Sequence, residues 1–415
     1  MMKIVQIVLL FLLIADASIV FTQTQDTTRL IIGHKAGIDK FMSDTTKLIE
    51  DAALDIAQNR GLFIVTPDQK LQLRILGSVR FQATYDNKNL NSNISYTTYD
   101  IPVGENNVRF PNIFFGLEQT RLGFEITRNT QRGNMFVRLE TDFAGNNGFR
   151  IRHAYGQFGR FLLGQTWSLF TQIVSIPATV DFGSPTGAAI AKTPQIKYTI
   201  PNLFSGYNLA LAFEYFKPDY VLPDSLAVES FQLIPNVTAR IDKTFDWGLI
   251  QLSGLVTVLS GKEEGGDPAY LFGWGGSFSA VVNSWVNGKW YFQVNGGKGI
   301  ARYYNDFEDQ GLDLLIDPDT GQGLLPYVMG SFLTYEHAWR EDIFSNFTYG
   351  AIVLENYSFT PAEAFRWGDS FRINTFWTVV EGARVGLEYI YGARNNNNKE
   401  EGRAGRLNFL VYYDF

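Results

Sequence analysis

Long and short connections alternate along this chain, and that alternation limits its fold more than any single motif. From Leu71 onward the hydrophobic period is two. In LQLRILGSVRFQATYD, Leu73, Ile75, Val79, Phe81, Ala83 and Tyr85 face one way. Gln72, Arg74, Ser78, Arg80, Gln82 and Thr84 face the other. About sixteen such strands reach the C-terminus, an even number within the range of bacterial barrels. They begin near Leu71, Asn112, Gly133, Phe149, Arg160, Thr193, Gly206, Ser230, Asp246, Ala269, Gly288, Leu324, Asp342, Ser370, Ala383 and Arg403. Long connections follow the odd-numbered strands, at 87–110, 171–192, 217–229, 261–268, 306–323, 358–368 and 395–402, with 144–148 a short exception. Short turns follow the even-numbered ones. A soluble sandwich has no reason to alternate its loops in this way. An up-and-down membrane barrel does, with short periplasmic turns and long external loops. The expected fold class is all-β: a transmembrane antiparallel β-barrel of about sixteen strands, preceded by a short periplasmic helix.

The last strand, RAGRLNFLVYYDF, carries Leu407, Phe409, Val411, Tyr413 and Phe415 on one face, as a lipid-facing strand that closes a barrel would. Trp247, Trp285, Trp290, Trp339 and Trp377 all fall near short turns, where an interfacial aromatic girdle belongs. Mean hydropathy is -0.07. After the first ~20 residues no apolar run is long enough to span a bilayer as a helix. The chain has no cysteine, so disulfides and thiolate metal sites are excluded. A net charge of -7 argues against a nucleic-acid partner. The three histidines, His34, His153 and His337, form no readable Ser–His–acid or metal cluster, so neither catalysis, metal nor cofactor is expected.

Three segments are expected. Residues 1–22 read as a signal peptide, with Lys3, an apolar run to Ile14 and a small-residue site at Ala15-Asp16-Ala17. Residues 23–70 form a periplasmic helical and linker segment, with helical spacing over 33–60 and a stop at Gly61. Residues 71–415 form the outer-membrane barrel.

The interior of so large a barrel is polar. The strand phases turn Arg74, Arg80, Arg121, Arg138, Arg150, Arg152 and Lys197 inward, with Glu125, Glu140 and Asp142 among them. Later strands add Glu214, Arg240, Asp242, Arg372, Glu388 and Arg406. The loop TQIVSIPATVDFGSPTGAAIAK is rich in Ala, Ile, Val and Gly, and suits folding against an interior wall. Its charges are Asp181 and Lys192. Candidate constriction residues are therefore Arg80, Arg121, Arg138, Arg150, Arg152, Lys197, Lys192 and Asp181. Arginine stays charged and binds carboxylate or phosphate in a forked geometry, which suits an anion path. The competing reading is a lattice in which inward arginines pair with inward acids and only stiffen the wall. Arg150 and Arg152 have few acids near them in sequence and are favoured for solute contact. Phases are least secure near the glycines of 273–276 and 296–299, where a one-residue slip inverts a face. The acidic stretch 306–319 is expected outside, meeting cations that bridge lipopolysaccharide.

The segments FRIRHAYGQFG, LLGQTWSLF, TVDFGSPTG and PQIKYT resemble the matching block of the DcaP-like outer-membrane porins. GSFLTYEHAWREDIFSNFTYG, VGLEYIYGAR and the final strand are similar to that family's C-terminal part. The resemblance implies a trimeric sixteen-stranded porin with an inward-folded third loop, an N-terminal periplasmic coiled coil and passive uptake of small, often anionic solutes such as dicarboxylates. Arg150, Arg152 and Lys197 match that family's basic wall. The reading is an outer-membrane porin for small hydrophilic, dicarboxylate-like solutes. The alternatives are a plugged structural or adhesion barrel and, more weakly, a barrel enzyme.

Overall fold

The computed structural model describes the backbone of 31–33 and residues 60–104, 109–145, 147–221, 228–263 and 268–415. The signal peptide expected over 1–22 lies outside the described residues, as does the body of the helix expected over 33–60. Among the described residues the only helical pieces are three-residue 3₁₀ turns.

In chain order the barrel strands are β1 (Leu71–Asp86), β2 (Asn112–Gly116 and Arg121–Thr130), β3 (Gly133–Asp142), β4 (Arg150–Phe158), β5 (Phe161–Trp167) and β6 (Lys192–Phe204). There follow β7 (Tyr207–Glu214), β8 (Val228–Phe231 and Asn236–Phe245), β9 (Gly248–Glu263), β10 (Pro268–Ser284) and β11 (Gly288–Lys298). The last are β12 (Tyr327–Arg340), β13 (Ile343–Leu354), β14 (Phe365–Val380), β15 (Ala383–Asn396) and β16 (Glu401–Asp414). Each pairs antiparallel with its neighbours in sequence, and β16 returns to β1 with Arg406 opposite Asp86 and Asp414 opposite Ser78. The sixteen strands thus form one closed sheet, which leaves no unpaired edge to lipid.

Most strands start within a residue or two of the expected positions. The largest difference is β14, which begins at Phe365 rather than Ser370. The glycine-rich pairing of β10 with β11 holds one register throughout, so the phases there do not slip. Outward residues such as Val79, Phe81, Phe115, Leu163, Phe272 and Leu387 are exposed, forming an apolar band for lipid contact. Trp247, Trp285, Trp290, Trp339 and Trp377 are exposed at the short-turn end.

Two features close the seam. Leu62–Val65, within the stretch read as linker, pairs with Gln72–Ile75 of β1 and continues the wall below the end of β16. Phe415 exchanges backbone hydrogen bonds with Gly77. A Cβ on Gly77 would stand 2.3 Å from the Phe415 ring, so glycine leaves the seat for the terminal aromatic. Gly77→Val should therefore destabilise the barrel by roughly 1–3 kcal/mol through overpacking. Urea unfolding in detergent, followed by tryptophan fluorescence, reads this out. In the Phe415→Ala background the same change should cost much less.

Candidate functional site

Register builds a ladder of charge on the inner face of β1 to β4. Arg74 on β1 stands opposite Glu125 on β2, and Glu125 stands opposite Arg138 on β3. One carboxylate therefore lies between two arginines, 2.7 Å from Arg74 and 3.7 Å from Arg138. Glu140 accepts from Arg138 and, at 2.9 Å, from Arg152, with Arg121 at 4.0 Å. Asp142 accepts from Arg150 at 2.8 Å and Arg152 at 3.0 Å. Five arginines share three carboxylates, which leaves the ladder positive.

Burial divides these arginines. Arg74, Arg121, Arg138 and Arg152 are buried among their partners. The Arg150 side chain keeps 36% of its surface and lies over the Phe182 ring of the folded-in loop, at 5.3 Å. The low acid content near Arg150 and Arg152 in sequence concealed this pairing, because their partners come from the adjacent strand. Arg80 is largely buried, its side chain keeping 11% of its surface, with Asp414 at 4.0 Å. Lys197 points inward on β6, level with buried Leu162 and Ala212. Lys192 Nζ lies 3.8 Å from the Trp167 ring centroid.

A β-bulge lies in this wall. Between β3 and β4 the register shifts, so that Glu140 faces His153 and Thr141 faces Ile151. Arg152 is the extra residue. Strict alternation would turn His153 outward; the bulge buries it, with Nδ1 3.0 Å from Thr166 Oγ1. The sequence carries no period-breaking signal here.

The loop at 168–191 is buried within the barrel and follows the opposite arc of the wall. Leu169 N and Ser168 Oγ donate to Glu214, and Ser253 Oγ donates to Leu169 O. Farther round, Asn346 and Asn374 donate to Ala178 O, and Val180 N donates to Glu388. Asp181, at the far end, is buried and accepts from Arg406, Asn408, Tyr96 N and Gly183 N. The loop then returns along β14 to β11, where Thr186 meets Ser370 and Ala189 N donates to Gln293. Glycine clears its way: a Cβ on Gly330 would lie 2.3 Å from Gly187 O, and one on Gly350 2.2 Å from Thr186 O.

Two more long loops fold in beside it. Asp306 Oδ1 accepts from Thr98 N and Oγ1, and its Oδ2 accepts from Gly187 N. This one carboxylate ties loops 87–104, 168–191 and 299–326 together. Burial pushes its carboxyl pKa up, against the pull of these hydrogen bonds. Ile190 N donates to Tyr303 O, and Phe170, Tyr303, Tyr304 and Phe307 form an apolar core under the loops. The expectation that 306–319 lies outside is therefore corrected. Asp306 and Asp313 are buried and satisfied by protein groups, Asp313 by Arg302 at 2.8 Å, whereas Glu308, Asp309 and Asp319 are exposed. Among the described residues no group of three His, Asp or Glu could hold a metal.

Two expectations follow. Arg152→Ala leaves Glu140 and Asp142 short of a buried partner and should destabilise by about 3–5 kcal/mol, while Arg150→Ala should cost under ~1 kcal/mol. Urea midpoints of the two variants test the contrast. Asp306→Ala unties three loops at one point and should raise open-channel noise and loop proteolysis in the folded barrel; an unchanged digestion pattern would contradict it.

The fold is shared with known proteins. A family profile described as DcaP outer membrane protein matches residues 40–415. The outer membrane channel DcaP of Acinetobacter baumannii superposes with a TM-score of 0.73 at 20% identity, covering 83% of this chain and 98% of that one. An anion-selective porin from Comamonas acidovorans gives 0.56 at 12% identity, covering 83% and 100%. OmpF of Salmonella typhi, in complex with daunomycin, gives 0.53 at 10% identity, covering 83% and 98%. No curated protein sequence matches. With the profile spanning the whole barrel and residues 40–70 before it, the chain belongs to the DcaP outer membrane protein family.

Proposed function

We propose that this outer-membrane channel passes small hydrophilic anions, of dicarboxylate type, along the arc of wall that the inward loop leaves to the arginines. One observation carries the reading. On β1 to β6 eight inward cations, Arg74, Arg80, Arg121, Arg138, Arg150, Arg152, Lys192 and Lys197, stand against Glu118, Glu125, Glu140 and Asp142, with Asp86 committed to Arg406. The surplus raises the local concentration of anions in a low-dielectric cleft. Arg150 and Lys192 are the cations best placed for solute: the first is half-exposed against the loop, and the second rests on an aromatic face rather than on a carboxylate. Arg121, Arg138 and Arg152 act chiefly by charge, from behind their ion pairs. Asp181 acts as an anchor for the loop. The Comamonas porin is described as anion-selective, and it shares this fold. The trimer implied by the sequence resemblance belongs to the same reading, and native mass measurement in detergent checks it.

A second reading, a plugged structural barrel, draws on the interlock of loops 87–104, 168–191 and 299–326 over an apolar core. Zero-current potential in a planar bilayer under a salt gradient separates the two. Steady conductance with anion preference is expected, reduced in Arg150→Ala. Cation preference would overturn the anion path, and folded barrels without conductance would favour the plug.

A further inference from the structure

The tip of the loop at 168–191 marks a change in the wall beneath it. Descending toward the short-turn end, inward positions pass from buried to partly exposed: Gln82 to Arg80 on β1, Phe376 to Thr378 on β14, Gly386 to Arg384 on β15 and Leu410 to Tyr412 on β16. The loop residues Ala178 and Val180 pack with Phe344, Phe376 and Tyr412 at this level. Solvent therefore reaches the wall just below the tip on β14 to β16, whereas on β1 the next inward position below Arg80, Ser78, is buried again.

Two guanidinium groups converge there on one ring. Arg80 lies 4.8 Å from the Tyr412 ring centroid and Arg384 5.8 Å from it. Each is held in place by a hydroxyl. Arg80 Nε donates to Ser78 Oγ at 2.8 Å; Arg384 Nε donates to Thr378 Oγ1 at 3.2 Å and its Nη1 to Tyr412 Oη at 3.0 Å. Their charge is poorly matched. Asp414 stands 4.0 Å from Arg80, and among the described residues no carboxylate lies within 4.0 Å of Arg384. Elsewhere on the inner wall Arg74, Arg138, Arg150 and Arg152 bind carboxylates at hydrogen-bond distance. Here two oriented guanidinium groups, Arg384 partly exposed and Arg80 with 11% of its side chain exposed, share one ring, with one acid at 4.0 Å from Arg80.

We propose that Arg80, Arg384 and Tyr412 form a second anion station, at the periplasmic exit of the constriction, which binds the carboxylate of a permeating solute. Arg384 supplies the forked donor, Arg80 supplies further charge, and Tyr412 with Thr378 fixes the approach. The station rests on the anion-path reading and adds sidedness to it. A solute entering from outside meets Arg150 and Lys192 first; one entering from the periplasm meets Arg384 first.

Succinate is added to the periplasmic side of single oriented channels, and current interruptions are counted. Arg384→Gln should weaken apparent succinate binding from that side by about tenfold, the loss of one charge-assisted interaction. Arg384→Lys, which keeps charge without the fork, should fall between. Heat-modified migration in detergent confirms that each variant is folded. If folded Arg384→Gln channels bind periplasmic succinate as the parent does, while the parent is anion-selective, the station is wrong and the path stands. If the parent itself prefers cations, the underlying reading fails and the station with it.

Discussion

A bilayer offers no water to an unpaired backbone amide, and nearly everything in this structure follows from that. Each unsatisfied N–H or C=O in hydrocarbon costs several kcal/mol, so a spanning sheet has to close. Closure joins β16 to β1, residues 86 and 406 apart by almost the whole chain yet directly opposed. It also turns the chain's polar side chains inward. The strands cannot place charge toward lipid, so the interior receives it, and the interior must then settle it by water or by pairing.

Pairing dominates, and register decides which charges meet. Glu125 serves two strands, Glu140 and Asp142 serve β3 and β4, and the arginine forks bridge between them. Such buried pairs add little net stability over an apolar wall, but breaking one leaves an uncompensated charge. The ladder thus fixes the wall's shape. Its excess of arginine over acid fixes the wall's sign. On the proposed reading the two jobs fall to different side chains: the buried arginines hold the lattice, and Arg150, Lys192 and Arg384 would meet the solute.

Much of this was legible in the sequence because the lipid constraint writes period two into every strand. Strand starts, facing residues, the tryptophan girdle and the inward loop could all be read from residue types. What could not be read depends on neighbours remote in sequence. The arginines at 150 and 152 looked unpaired along the chain, although their acids lie on β3. The bulge that buries His153 leaves the period of β4 intact on either side. Asp306 looked like surface charge within an acidic run, yet its carboxylate caps Thr98 and Gly187 from two other loops. Local composition reports a loop's average environment; one buried carboxylate among exposed ones is invisible to it.

The overall acidity of the chain, -7, is opposite in sign to the arginine-rich ladder on the inner face of β1 to β4. Screening explains how both can hold. At physiological ionic strength charges separated by more than about 8 Å in water scarcely influence each other. Acids far from the lumen therefore act on their own surroundings, whereas Glu308 lies close enough to Arg150 and Lys192 to offset part of their charge. Arginines lining a narrow, low-dielectric cleft act on whatever passes through it, since the walls confine their field. On the proposed reading, three interlocked loops narrow that cleft and, by filling the opposite arc, would bring a solute closer to the basic side. The apolar character of the loop at 168–191 then takes an electrostatic role on the proposed path: a charged loop would pair with the arginines and cancel their field, whereas an alanine- and valine-rich one leaves more of it to the solute.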